Sequence, residues 1–167
     1  MQVALLFFFD KQPQNTQLII TRRPATGLDL KSLTRFMSRA CREAGVAGEV
    51  TVLLTSNGEM RRLNRQFRKN DMPTDVLSFP APAKNGVAGD IAISVDIARQ
   101  SATERNESFE DEVRILMLHG LLHLAGYDHE RDNGRMERKE QRLRKQLRLP
   151  TGLIERTRRR VRIKRQP

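Results

Sequence analysis

The segment 108–125 leaves this 167-residue chain little freedom in how it folds. It reads as a helix in which Leu116, Leu118, Leu121, Leu122 and Leu124 spread around most of the circumference. A surface helix confines its apolar side chains to one stripe, so a helix apolar nearly all round belongs at the centre of a fold. Gly126 offers the stop. Lacking a Cβ, it can take the left-handed conformation that closes a helix.

Three imidazoles ride on this segment and its continuation, and the chain has no others. His119 and His123 stand four residues apart, on one helical face and one turn from each other. His129 lies beyond the glycine, where a turn can swing it back. Two histidines at this spacing are often ordinary residues. A third at ten positions from the first is harder to dismiss, and imidazoles buried in an apolar helix need partners; a shared metal ion supplies them. Three neutral imidazoles leave one tetrahedral position open, the pattern of a catalytic rather than a structural zinc site. A cation held there would bring the pKa of a bound water to roughly 7 and polarise a scissile bond, so hydrolysis is the expected reaction class. In the H-E-x-x-H peptidases the residue after the first histidine is the glutamate base. Here it is Gly120, which leaves ordinary peptidase chemistry without its base.

Around the central helix, residues 2–9 and 16–21 read as strands separated by the turn-rich 11–15. Residues 29–45 carry Leu30, Leu33, Phe36, Met37, Ala40 and Cys41 at helical spacing, with Gly45 as the stop. A strand over Glu49 to Leu54 follows. Ser56, with Glu59 three residues on, opens a helix through Arg68, which Asp71-Met-Pro-Thr74 breaks. Asp75 to Phe79 and Gly89 to Ser94 read as strands joined by a hairpin around Lys84-Asn85-Gly86. Residues 95–105 and 133–148 are further helices. Without a regular βαβ rhythm, the expectation is α+β: a small mixed sheet packed with helices around a central, zincin-like metal helix. Residues 1–150 form one domain, and 151–167 a basic C-terminal tail.

Charge narrows the partners. The 31 Lys and Arg exceed the 20 Asp and Glu by 11. The tail from Glu155 onward holds seven basic residues against one acid, so residues 1–154 still carry +5. Such a field draws polyanions, nucleic acid first, although arginine-rich solvated surface accounts for some basic chains. Cys41 stands alone, which rules out an intrachain disulfide and favours a reducing, cytoplasmic setting. On an amphipathic helix it reads as a small buried side chain rather than a nucleophile. No stretch approaches the ~20 apolar residues of a membrane span. The opening Val3 to Phe9 lacks the basic n-region and cleavage site of a secretory signal, and reads as a buried strand.

At two motifs the chain resembles the YbeY family of bacterial endoribonucleases. His119-Gly-Leu-Leu-His-Leu-Ala-Gly-Tyr-Asp-His129 matches the family's H-G-x-L-H-L-x-G-Y-D-H. Leu63-Asn-Arg-Gln-Phe-Arg-Lys-Asn-Asp-Met-Pro-Thr-Asp-Val-Leu-Ser-Phe-Pro80, followed by Gly89-Asp-Ile-Ala-Ile-Ser94, matches the second, and the similarity runs through roughly residues 1–150. The resemblance implies a single α+β domain that cleaves single-stranded RNA with a metal ion, for which the ligand type suggests zinc, one per chain. It further implies a part in 3′-end maturation of small-subunit ribosomal RNA and in ribosome quality control, with ribosomal RNA and the small subunit as partners. It places the metal ligands on His119, His123 and His129, and the family's functional arginine on Arg68. Phe67 stands where tyrosine is more usual, and the tail lies outside the family core.

Spacing alone would make Arg68 a helix-terminal residue favoured by the macrodipole. The motif makes it a guanidinium fork for phosphate. Asp71 and Asp75 read as turn residues. Asp128 could orient a ligand, and Glu112 reads as a capping or solvated residue, with an outer partner of the metal helix as the alternative. Two other functions stay open on sequence: a ribosome-assembly factor with a mainly structural metal, and a metallopeptidase, against which Gly120 counts.

Overall fold

The computed structural model describes residues 17–82 and 86–150. The strand expected over residues 2–9 and the tail from residue 151 lie outside them. Chain order is β1 (Gln17–Thr21), α1 (Leu30–Ala44), β2 (Glu49–Thr55), α2 (Asn57–Arg68), β3 (Val76–Pro80), β4 (Val87–Ser94), α3 (Val95–Arg105), α4 (Phe109–Leu124) and α5 (Arg135–Leu147). The expected α+β class and each expected element within these residues are present, with ends moved by one or two positions.

Short polar side chains set the helix starts. Asp29 accepts from the Lys31 and Ser32 amides, and Ser56, Ser94 and Ser108 accept from Glu59, Ile97 and Asp111. Helix α5 begins differently: Gly134 provides no side-chain cap, and the Asp132 carboxylate takes the Met136 amide at 2.7 Å.

The sheet order is β1-β2-β4-β3. Strands β1, β2 and β4 are parallel, and β3 returns antiparallel on β4 as the hairpin required. Pro80, lacking a donor, ends an edge strand, where its loss to the ladder is small. Opposite it Gly89 has φ +145°, and a Cβ there would lie 2.3 Å from the Phe79 carbonyl oxygen.

Both sheet faces are covered, unequally. Helix α2 covers one with Met60 and Leu63 against Leu53, Leu77 and Ala92. The larger core on the other face joins Val50, Val52, Ile91 and Ile93 to α1, α3, α4 and α5. Helix α4 sits in the middle of this layer, touching β3, β4, α1, α3 and α5. Ten consecutive-turn residues of it, including Leu116, Leu118, Leu121 and Leu122, are buried. Its seat on the sheet depends on Gly120. A Cβ at that position would lie 2.8 Å from Ile91 Cγ2 and 3.1 Å from Ser78 Oγ, on two residues paired across β3 and β4. The Ser78 hydroxyl donates to the Gly120 carbonyl at 3.3 Å. The glycine therefore brings the histidine-bearing helix close to the sheet, and a glutamate at this position would have to displace both neighbours.

Candidate metal centre

Helix α4 ends as the sequence suggested. The Gly126 amide donates to the His123 carbonyl and the Tyr127 amide to that of Leu122, both at 3.0 Å, while Gly126 takes φ +86°. This is a Schellman closure, and it turns the chain sharply after one further residue. The turn that follows is held by Asp128, whose carboxylate accepts from the Glu130 amide and whose carbonyl accepts from Arg131 and Asp132. His129 is carried on this turn back to the helix.

The result is a compact triad. The ring centroids of His119 and His123 are 4.8 Å apart, and each lies 5.3 Å from that of His129. One nitrogen from each falls within 4.8 Å of the others. The rings run from buried His119 through half-buried His123 to exposed His129, so the site opens to solvent on one side.

Hydrogen bonding fixes the tautomers of the first two. His123 Nδ1 is 3.0 Å from the Tyr127 carbonyl, which can only accept, so Nδ1 carries the proton. His119 Nδ1 is 3.1 Å from Glu140 Oε1, and by the same argument donates to that carboxylate. Both Nε2 atoms are left with lone pairs, and they lie 3.2 Å apart. Two lone pairs at that separation repel unless a cation lies between them. The donor set therefore fits a divalent ion of the zinc type, and the carboxylate and carbonyl behind the rings are the usual outer partners of metal-binding histidines.

Electrostatics favour the neutral forms of His123 and His129. Burial, then the charges of His119 and His129 and finally that of Arg68, push His123 down to about 4. His129 is lowered by burial and by His119, against the opposing pull of Glu130, Asp128 and Glu140. Neutral rings at physiological pH are what coordination requires.

The structure brings the three sequence-derived histidines together. Arg68 is the exposed last residue of α2, near enough for its charge to be felt at His123. Asp71 is remote from acid–base work, paired with Arg61 at 2.7 Å, and Asp75 accepts from Thr74 and the Val76 amide. Asp128 shapes the turn beneath His129. Glu112 departs from its expectation of capping or solvation: Ser108 is the cap, and Glu112 is 1% exposed and ion-paired with Arg105 at 3.5 Å. Cys41 is buried, and burial pushes its thiol up to about 12, which suits a core residue.

Sequence reasoning missed Glu140. The signal was present, because Glu140 shares a helix face with Met136, Leu143 and Leu147, and a carboxylate on an apolar face needs a buried partner. What the sequence did not reveal was that the partner is His119.

Similarity to known proteins runs through most of the chain. The family model described as Endoribonuclease YbeY matches residues 21–148. The chain is 56% identical over 140 residues to the Endoribonuclease YbeY of Koribacter versatilis, covering 84% of this chain and 91% of that protein. It is 48% identical over 144 residues to the one from Solibacter usitatus, covering 86% and 96%. Among solved structures, a Thermotoga maritima protein determined in solution superposes with a TM-score of 0.58 at 33% identity, over 79% of this chain and 89% of that one.

Proposed function

The chain belongs to the YbeY endoribonuclease family, and from that membership we propose that it cleaves single-stranded RNA with a zinc ion held by His119, His123 and His129. The observation that carries the reading is the pair of Nε2 lone pairs 3.2 Å apart, with both Nδ1 protons committed elsewhere. The RNA in question is the 3′ end of small-subunit ribosomal RNA, and the same activity serves ribosome quality control in the cytoplasm. Residues 1–150 act as one catalytic domain, and the arginine-rich 151–167 as an accessory basic tail.

A bound zinc ion supplies Lewis-acid stabilisation of charge on a phosphoryl oxygen. The protein's own part is positioning and charge. Arg68 offers a planar fork to a non-bridging oxygen, sharing the charge that builds up as the phosphodiester is attacked. Glu140 and the Tyr127 carbonyl hold the two helical imidazoles in one tautomer and one orientation. Exposed His129 leaves the open side through which a flexible single strand can approach. Gly120 works against a peptidase, since its place against Ile91 and Ser78 has no room for a glutamate base.

The test is metal analysis of the purified protein together with cleavage of a single-stranded RNA by wild type and His119→Ala. Zinc near one equivalent, and cleavage abolished by the substitution, are expected. Intact RNA with both proteins would end the nuclease reading. The product ends separate two routes: a 2′,3′-cyclic phosphate with a 5′-hydroxyl means attack by the RNA's own 2′-hydroxyl, and a 3′-hydroxyl with a 5′-phosphate means attack by water.

A further inference from the structure

Helix α5 carries six basic residues against two acids, and its charges are not spread evenly. Arg135, Arg138, Lys139 and Arg142 recur at i, i+3, i+4 and i+7, which puts them on one strip of the helix. Together with Tyr127 they line a groove. None of the four has a carboxylate partner among the described residues. Arg138 donates to the Asn133 carbonyl at 3.3 Å and Lys139 to that of Glu43 at 3.1 Å, which satisfies hydrogen bonds without neutralising charge. The contrast with α2 and α4 is direct, because there Arg61, Arg62 and Arg114 are paired with Asp71, Glu59, Glu110 and Asp111. Four uncompensated cations repel one another, and such a cluster is stabilised by an anion that meets several of them.

The groove is tied to the metal centre at two points. Tyr127 lines it, and the carbonyl of the same residue holds His123. Glu140, which holds His119, lies on α5 between Lys139 and Arg142. The cationic strip spans about 10 Å along the helix axis, more than one phosphate needs and enough for a few linked ones. A half-buried tyrosine beside them offers a face on which a base can stack, something duplex RNA cannot use because its bases are already stacked.

We infer that the groove formed by Tyr127, Arg135, Arg138, Lys139 and Arg142 binds the backbone of single-stranded RNA on one side of the scissile phosphate. This deepens the nuclease reading and rests on it for the word scissile. The binding itself can be measured without cleavage. Phosphates sit on the four cations, and one base rests on the Tyr127 ring.

The experiment uses the full chain, stripped of metal by a chelator so that nothing is cut, and a fluorescein-labelled single-stranded oligoribonucleotide. Affinity is measured across a salt series for wild type, Arg135→Ala/Arg142→Ala, and a control, Lys31→Ala/Arg35→Ala, which removes two charges from the start of α1. Each lost phosphate contact lowers the slope of log K against log salt by about 0.7, so the groove variant should lose about 1.4 from the slope. At low salt it should bind roughly tenfold more weakly, while the control stays near wild type. Tyr127→Leu, which keeps the backbone carbonyl, should weaken binding by roughly tenfold with the slope unchanged. An unchanged slope in the groove variant, or equal losses in the control, would overturn the inference. So would equally tight binding of a duplex of the same length or of polyglutamate with the same dependence on Arg135 and Arg142. If the groove variant behaves as expected but metal-loaded wild type never cuts RNA, the groove stands and the nuclease reading falls; cleavage with an unchanged slope is the converse.

Discussion

Glu140→Gln exchanges one oxygen of a buried carboxylate for an amide nitrogen and leaves the shape of the side chain intact. The amide oxygen can still accept from His119 Nδ1, so the 3.1 Å contact survives while its charge is lost. A hydrogen bond to a charged group contributes about 1.5–3 kcal/mol, against about 1 kcal/mol for a neutral one. The difference of roughly 1–1.5 kcal/mol corresponds to zinc binding weakened about tenfold. Glu140→Leu removes the acceptor altogether and leaves an unpaired N–H on a ring only 5% exposed. Its loss should reach the upper part of the ~10–100-fold range seen when outer partners of metal ligands are removed. Competition against a chromophoric zinc chelator near neutral pH gives the affinities, and urea unfolding of the metal-free protein gives the stability. An orienting carboxylate predicts the order wild type, Gln, Leu in affinity, with the metal-free Gln variant within about 1 kcal/mol of wild type, because a neutral amide is cheaper to bury than a carboxylate. Equal zinc affinities in all three, with both variants less stable when metal-free, would show that Glu140 serves the fold and not the metal site.

Other perturbations probe the remaining parts. Gly120→Ala places a Cβ within 3.1 Å of Ile91 and Ser78, so it should cost about 1–3 kcal/mol by overpacking, read as a lower urea midpoint, although alanine is the better helix former. Because His123 is held at about 4 in the folded chain against an ordinary 6.5, the unfolded chain takes up the proton first as pH falls. Metal-free protein should therefore lose stability between 6.5 and 4 and show no such effect above 6.5; a His123→Gln variant whose stability falls just as steeply over that window would refute the assignment. Arg68→Ala should leave zinc content unchanged and lower RNA cleavage by roughly 100-fold, with Arg68→Lys between the two, because lysine keeps the charge and loses the fork. Equal cleavage by Arg68→Ala and wild type would remove Arg68 from the chemistry.

Local rules in the sequence reached far into this structure, and where they stopped has a physical reason. The cap at Ser56, the stops at Gly45 and Gly126, and the all-round leucines of α4 are signals within a few residues of the features they set. The spacing of His119 and His123 is of the same kind, since helical geometry alone puts them on one face. Glu112 shows the first limit. Its position near the start of α4 suggested a solvated or capping side chain, yet it is buried and ion-paired with Arg105 across the α3–α4 connection. Glu140 shows the second. Nothing local states that α5 will fold back over α4 and set a carboxylate behind His119, twenty-one residues away.

The same distinction bears on Gly120. Read along the chain, it is the residue that a peptidase would make glutamate, and so it signals a missing base. In three dimensions it is the point at which α4 touches the Ser78–Ile91 pair, and the absence of a side chain sets how close the histidine-bearing helix lies to the sheet. The helix could not carry a base at that position without moving away from β3 and β4. Such a shift would also move His119 relative to Glu140 on α5. The carboxylate that this fold does set against His119 therefore arrives from α5, on the Nδ1 side of the ring. From there it can set the tautomer of His119, while Arg68 and His129 are exposed to solvent. With its buried carboxylate committed to His119, and a glycine where a peptidase carries its glutamate, the centre lacks the base that hydrolysis of a neutral peptide bond would need there.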